Sequence, residues 1–214
     1  MALYSVLITE IFKSIQGEGP FTGIPMAFVR TNRCNLRCNW CDSTYTFQGG
    51  TEIKLQDIIK QVESLRVRWV CFTGGEPLIQ REAPEFVRAL HERGYRVLIE
   101  TSGSISIRPY LSYENVYIDM DIKTPSSGES ESLLEENLTI IRGQDYVKFV
   151  IADESDYEFA REFLMTHSIP CEALIQPAWK TDPQWIAERL LSDSLNARFM
   201  LQTHKIIWGE RRGV

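Results

Sequence analysis

Short apolar runs alternate along the chain with longer segments whose apolar residues recur at helical spacing. Compact runs rich in β-branched, aromatic and leucine residues, bounded by turn residues, predict β-strands. Runs of this kind lie at residues 27–30, 69–72, 96–100, 116–119, 146–151, 173–177 and 199–202. The N-terminal segment that begins at Met1, and residues 4–12 in particular, predicts the first strand.

Amphipathic segments between these runs predict α-helices at residues 55–65, 82–93, 131–141, 157–166 and 183–191. Gly94 suits a helix C-cap and Asp182 a helix N-cap. Strands that alternate with helices form βα units and a parallel sheet. The strands are too few for a closed eight-stranded barrel. We therefore expect one α/β domain over residues 1–214, an open partial (β/α) barrel of about six parallel strands.

Polar residues follow the predicted strands at the points where the strands end. They are Arg30, residues 73–76, 100–102 and 121–123, Gln176, and residues 202–204. Parallel α/β folds bind their ligands at the carboxyl ends of the strands. These residues are therefore expected to share one rim and to form the site.

Composition and charge narrow the class of ligand. The 214-residue chain is 43% hydrophobic and 24% charged, with a formal net charge of −6. An acidic chain without a long basic block argues against a nucleic-acid partner and favours a small molecule. No apolar run approaches the ~20 residues needed to span a bilayer, so no membrane partner is expected. The absence of a basic leader and the uneven set of five cysteines favour the cytoplasm.

Three of those cysteines form the sequence Cys34-x3-Cys38-x2-Cys41, directly after a predicted strand. Thiolates at this spacing can converge on one metal centre. A closed zinc site takes four protein ligands, and an ordinary iron–sulfur cluster takes four cysteines. The spacing therefore leaves two interpretations: a cluster with one iron open to a ligand that is not protein, or a zinc site completed by Asp42 or a distant histidine.

The Cys-x3-Cys-x2-Cys loop, with Trp40 before its last cysteine, resembles the cluster loop of radical S-adenosylmethionine (SAM) enzymes. Residues 73–77, Thr-Gly-Gly-Glu-Pro, resemble the GGE motif of that superfamily. The resemblance implies a [4Fe–4S] cluster on Cys34, Cys38 and Cys41, with SAM chelated to the fourth iron. It also implies SAM contacts from Trp40, Cys41, Asp42, Gly75, Glu76, Asp121, Ile122 and Lys123.

Residues 14–19, 28–30, 40–43 and 202–205 are similar, in order and spacing, to the 7-carboxy-7-deazaguanine synthase family. This resemblance implies ring contraction of 6-carboxy-5,6,7,8-tetrahydropterin to 7-carboxy-7-deazaguanine, with loss of ammonia, on the route to 7-deazapurine tRNA bases (queuosine, archaeosine). A SAM-derived radical carries the chemistry, so no catalytic side chain is implied. The implied substrate contacts are Ile15, Gln16, Gly17, Arg30, Thr73 and His204, with Ser43 as the Mg²⁺ ligand.

Three hypotheses follow from these patterns. The first is this lyase, with a flavodoxin- or ferredoxin-type electron donor and a homodimeric assembly, as in its relatives. The second is another radical SAM enzyme, such as a glycyl radical activase, which acts on a protein. The third is a zinc-stapled binding module without enzymatic activity.

Overall fold

The strands of the computed structural model, which describes residues 4–214, form one sheet. Within these residues the strands are β1 (Ser5–Ile15), β2 (Pro25–Thr31), β3 (Thr51–Lys54), β4 (Trp69–Thr73), β5 (Arg96–Thr101), β6 (Val116–Asp121), β7 (Tyr146–Ile151), β8 (Glu172–Pro177) and β9 (Arg198–Phe199). Their order is β3-β1-β2-β4-β5-β6-β7-β8-β9. Met1 to Leu3, where the first strand was predicted to begin, lie outside the described residues.

Every neighbouring pair from β2 to β9 is parallel, whereas β1 is antiparallel to both β2 and β3. The connection from β1 to β2 spans only residues 16–24, too short for a parallel crossover, so these strands form a hairpin. Six full strands and the short β9 make up the parallel part, and the sheet does not close. The predicted open α/β architecture is confirmed.

The helices are α1 (Leu55–Ser64), α2 (Ala83–His91), α3 (Glu136–Ile140), α4 (Glu154–Thr166), α5 (Pro183–Ser192) and α6 (Thr203–Trp208). The predicted helix at 131–141 is wrong in its first half, where the backbone of Leu134 instead donates to Gly103 at 3.0 Å. None of the helices in this part of the chain is long and apolar enough to cross a bilayer.

The last predicted strand, 199–202, is also wrong in extent. Only Arg198–Phe199 pairs with β8, and α6, which the apolar pattern did not indicate, follows directly. The backbone N–H of Thr203 donates to the carbonyl of Gly17 at 2.8 Å. The chain therefore leaves the sheet to bind the loop after β1, a long-range contact that a local pattern does not encode.

Side chains alternate between two faces of the sheet, with a period of two residues. On one face, residues such as Val70, Phe72 and Ile99 pack against the helices in the main hydrophobic core. The opposite face, which we call the inner face, carries a separate apolar cluster that contains Phe28, Cys71 and Leu98.

Further along each strand, the same inner face becomes polar. Arg30 follows Phe28 by two residues, Thr73 follows Cys71, and Glu100 follows Leu98. The register sets Phe28 opposite Cys71 and Arg30 opposite Thr73 on neighbouring strands. The inner face is thus apolar toward the amino ends of the strands and polar toward their carboxyl ends.

Candidate active site

A cavity of about 690 Å³ opens at the carboxyl ends of the parallel strands. Its volume lies within the usual range for small-molecule sites. The cavity is lined by the predicted residues Ile15, Gln16, Gly17, Arg30, Cys34, Cys38, Trp40, Cys41, Asp42, Ser43, Thr73, Gly75, Asp121, Lys123 and His204. The structure therefore brings together predicted residues from both ends of the chain.

The three clustered cysteines lie on the loop after β2 and are free, half-buried thiols. The backbone N–H of Asn39 donates to the carbonyl of Ser127 at 2.9 Å, which fastens the loop to the turn after β6. The indole Nε1 of Trp40 donates to Ser126 Oγ, also at 2.9 Å. These bonds fix the loop without occupying the thiols.

The thiols meet the requirements of an iron–sulfur cluster. Burial raises the pKa of all three, that of Cys38 to about 11, so metal binding must displace protons. Among residues 4–214, no three histidine, cysteine, aspartate or glutamate side chains are gathered closely enough for a single metal ion. An iron–sulfur cluster is larger than a single ion, because separate thiolates bind its separate irons. Three free thiols that line one cavity fit such a group.

The Gly74–Gly75 turn after β4 lies against the cysteine loop. The backbone N–H of Glu76 donates to the carbonyl of Arg33 at 3.0 Å. A Cβ on Gly75 would stand 2.2 Å from that carbonyl oxygen and 2.9 Å from the Cβ of Cys34. Only glycine therefore allows this approach, and the turn brings its backbone to the cysteines.

The carboxylate of Glu76, the last residue of the GGE motif, is bound within the protein. The side chain is completely buried. Its two oxygens accept hydrogen bonds from Leu78 N, Thr101 Oγ1, Ser102 N and Ser102 Oγ, at 2.7 to 3.0 Å. The carboxylate therefore fastens the turn to the end of β5. The contact of Glu76 with SAM stays a prediction, for which the backbone of the turn is available.

The loop after β6 places only two of its three predicted residues at the cavity. Ile122 is 1% exposed and packs in the main hydrophobic core, so its side chain is not available to a ligand. Its neighbours Asp121 and Lys123 line the cavity and form an ion pair at 3.0 Å. The ammonium of Lys123 also lies 5.3 Å from the ring centroid of Trp40, which links this loop to the cysteine loop.

Arg30 lies on the inner face among aromatic side chains. Its Nε donates to Glu10 Oε1 at 2.9 Å across the β1–β2 hairpin. Phe12 and Phe28 stack beside it, with ring centroids 5.0 Å apart. Tyr45 also donates to the same oxygen of Glu10, at 3.2 Å. The guanidinium is therefore held in a defined orientation at the cavity.

The loop after β1 and helix α6 form another wall of the cavity. A Cβ on Gly17 would lie 2.3 Å from His204 Nδ1, so a larger residue would displace the imidazole. Lys205 reaches across the cavity mouth to Asp42, with Nζ to Oδ2 at 2.6 Å. Ser43 donates to the other oxygen of Asp42 at 3.0 Å. This bond holds the Ser43 hydroxyl beside the Asp42 carboxylate.

Several residues that line the cavity were not among the predicted contacts. They are Glu18, Tyr45, Asp119, Lys148, Trp179, Lys205 and residues 209–213. Lys148 and Asp119 carried a signal in the sequence, because each interrupts an otherwise apolar strand. A charge in a buried strand needs a partner or a ligand, but the sequence does not say which.

Comparisons with known proteins agree with this geometry. Residues 28–152, more than half of the chain, match the model of the Radical SAM superfamily. The 7-carboxy-7-deazaguanine synthase of Thermoplasma acidophilum is 49% identical over 98% of this chain and 100% of its own length. The enzyme of that name from Koribacter versatilis is 44% identical over 97% of this chain and 99% of its own.

The fold agrees with a solved structure as well. The crystal structure of QueE from Escherichia coli superposes with a TM-score of 0.78 at 24% identity, and the match covers 94% of this chain and 95% of that one. The resemblance predicted from the cysteine and GGE motifs is confirmed. The chain therefore belongs to the radical SAM superfamily and, within it, to the 7-carboxy-7-deazaguanine synthase family.

Proposed function

We propose that this protein contracts the ring of 6-carboxy-5,6,7,8-tetrahydropterin to 7-carboxy-7-deazaguanine and releases ammonia. The observation that supports this most strongly is the single cavity, which is lined both by the three free thiols and by the predicted substrate residues. The relatives named for this activity match along almost the whole chain. A cavity of about 690 Å³ suits a small molecule better than the protein substrate of a glycyl radical activase.

Cys34, Cys38 and Cys41 would hold the [4Fe–4S] cluster, and the Gly74–Gly75 turn would lie beside bound SAM. When bound, the reduced cluster and SAM supply radical hydrogen abstraction; the protein supplies binding, orientation and exclusion of water. The loops that carry these residues are fastened to each other, since Glu76 N binds the Arg33 carbonyl. This rigidity favours one orientation of both groups.

Arg30 would bind the carboxylate of the substrate. Its Nε is already engaged by Glu10 at 2.9 Å, which leaves the terminal N–H groups of the guanidinium for a second acceptor. Arginine suits this task because its planar fork matches a carboxylate. Gln16, whose Nε2 donates to Glu100 Oε1 at 2.9 Å, and Thr73 would flank the ring.

The remaining parts of the proposal concern the cation and the cellular setting. Ser43 would contribute one ligand to a Mg²⁺ ion that retains several waters. Residues 209–214 line the cavity and would limit the entry of water. We also propose a homodimer, a flavodoxin- or ferredoxin-type donor, and a cytoplasmic location, where five free cysteines would stay reduced.

An anaerobic assay with SAM, a strong reductant, Mg²⁺ and the carboxytetrahydropterin tests the function. We expect 7-carboxy-7-deazaguanine, identified by mass, together with one equivalent of ammonia. A reaction without substrate provides the control for unproductive cleavage of SAM. Cleavage of SAM without formation of any deazapurine would be consistent with a radical SAM enzyme but would contradict the proposed substrate.

A further inference from the structure

Four polar residues deep in the cavity, three of them buried and Glu18 half-buried, have no role among the implied substrate contacts. They are Glu18, Asp119, Lys148 and Gln176, which we call the deep polar cluster. Asp119 and Gln176 are each 1% exposed, and Lys148 is 6% exposed. All four line the cavity and lie on β6, β7, β8 and the loop after β1.

Two residues of this cluster, Lys148 and Glu18, form hydrogen bonds within the protein. Lys148 Nζ donates to Glu18 Oε2 at 3.1 Å, and Gln202 Nε2 donates to Glu18 Oε1 at 2.9 Å. Burial by itself raises the pKa of Glu18, but Lys148, His204 and the bond from Gln202 together hold it well below its usual range. Glu18 is therefore an ionised partner of Lys148, with both of its oxygens occupied.

Asp119 and Gln176 are not satisfied in this way. Neither carboxylate oxygen of Asp119 accepts a hydrogen bond from the described residues. Lys148 Nζ is 3.6 Å from Asp119 Oδ2, which gives attraction between charges without a hydrogen bond. Gln176 lies near enough to Glu18 to affect its pKa, but neither atom of its amide makes a hydrogen bond in this part of the chain.

Buried polar atoms without partners are rare in folded proteins and call for an explanation. Here the explanation is a ligand, because both side chains line the same cavity and stand on strands of one sheet. The loop after β1 also packs closely on Asp119, since a Cβ on Gly19 would lie 3.2 Å from Asp119 Oδ2. The carboxylate is therefore held in place before any ligand arrives.

The pattern of unmet groups specifies the chemistry of the ligand. Two carboxylate oxygens side by side match two neighbouring N–H donors, and an amide offers one donor and one acceptor. An aminopyrimidinone ring presents an amino group, a ring N–H and a carbonyl oxygen in sequence along one edge. Arg30 on β2 lies three strands across the inner face from Asp119 on β6, so opposite ends of one elongated molecule can be held together.

We infer that Asp119 and Gln176 bind the aminopyrimidinone edge of the substrate, an inference that rests on the proposed function. Lys148 and Glu18 position Asp119 for that contact. Asp119 is then the residue that selects a 2-amino ring over a 2-oxo ring. Burial raises the pKa of Asp119 to about 7, with Lys148 opposing that effect and Glu100, Asp121 and Glu18 adding to it. Paired N–H donors would favour the ionised form on binding.

Equilibrium binding to the holoenzyme tests this inference without turnover. The probes are 6-carboxypterin and 6-carboxylumazine, which differ in having an amino or an oxo group at C2. The wild-type protein should prefer the pterin by about 10- to 100-fold, the range expected for hydrogen bonds to a charged acceptor. Asp119→Asn, which retains one acceptor oxygen, should reduce that preference to about 3-fold or less.

Asp57→Asn is the matched comparison, because it makes the same change at a carboxylate that lies outside the cavity and is 44% exposed. It should keep the preference for the pterin. A preference retained in Asp119→Asn would overturn the inference, and so would a preference lost in Asp57→Asn. If Asp119→Asn does not fold, Gln176→Leu should weaken both ligands about 10-fold, and unchanged affinity for both would overturn it equally.

The two proposals fail in different ways. Equal binding of pterin and lumazine by the wild-type protein overturns the inference and leaves the proposed function intact. If the wild-type protein binds neither ligand, the inference is overturned, and formation of 7-carboxy-7-deazaguanine in the anaerobic assay decides the proposed function separately.

Discussion

Replacement of Cys38 by alanine is expected to abolish both SAM cleavage and formation of the deazapurine. The variant keeps only two of the three clustered thiols, and a cluster needs a thiolate on each iron that the protein holds. Cys38 is half-buried and free, so its loss should change stability little. The measurement is iron content after anaerobic reconstitution, together with turnover of the carboxytetrahydropterin.

Cys171 provides a matched control for this experiment. It is also a free, half-buried cysteine, but it packs against the hydrophobic core at the start of β8. Cys171→Ala should reconstitute with the same iron content as the wild type and turn over normally. A Cys38→Ala protein that retains wild-type iron and activity would refute the assignment of the cluster ligands.

Lys148→Met is expected to produce the largest loss of stability among single changes at the site. Lys148 is buried between the buried carboxylate of Asp119 and the half-buried carboxylate of Glu18, at 3.6 and 3.1 Å. Removal of one partner of a buried ion pair leaves an uncompensated charge and costs about 3–5 kcal/mol. Urea denaturation should show this loss in the midpoint of unfolding.

Lys60→Met is the surface control for this change. Its pair with Asp57 is exposed, with side-chain accessibilities of 70% and 44%, and such pairs contribute about 0–1 kcal/mol. Equal effects of the two substitutions on the free energy of unfolding would show that the buried pair has no special role.

The sign of the pH dependence gives a second test with the same variant. In the wild type, the lowered pKa of Glu18 contributes stability above the ordinary pKa of this carboxyl, and that contribution is lost as pH falls. Without Lys148, the pKa of Asp119 rises further and Glu18 loses the strongest of the groups that lower its pKa, so the folded variant binds protons more tightly than the folded wild type. The loss of unfolding free energy caused by Lys148→Met should therefore be smaller at acidic pH than at alkaline pH.

The sequence was sufficient to predict the parallel part of the sheet and the rim on which the site lies. Apolar runs of this length and spacing are compatible with few secondary structures other than buried strands. The carboxyl ends of parallel strands always lie at the same edge of the sheet. The placement of Arg30, Thr73 and residues 121–123 on that rim follows from strand order alone. The cysteine and glycine motifs each lie within one loop, so their residues lie close together in the structure as their spacing in the sequence predicts.

The deep polar cluster could not be predicted in the same way. The bond between Glu18 and Lys148 joins residues 130 positions apart, and it depends on how the loop after β1 folds across the inner face. Phe21 of that loop packs against Trp69, with ring centroids 4.5 Å apart. Such contacts are set by tertiary packing, which the alternation of polar and apolar residues does not record.

Glu76 and Ile122 show that a motif can match while some of its side chains face away from the cavity. A carboxylate near a glycine turn suggests a free charge, but four hydrogen bonds within the protein occupy it here. Ile122 lies between two cavity residues in the sequence, and yet strand alternation directs it into the core. Local spacing identifies a segment of the site and does not identify which atoms face the ligand.

The central claim is that three thiolates leave one iron to bind SAM directly. Electron–nuclear double resonance on the reduced, anaerobically reconstituted protein tests it with SAM labelled by ¹⁵N at its amino group. We predict about four irons per chain and a hyperfine coupling between the label and the cluster spin. An intact cluster that shows no coupling to the label, with SAM bound, would contradict the account.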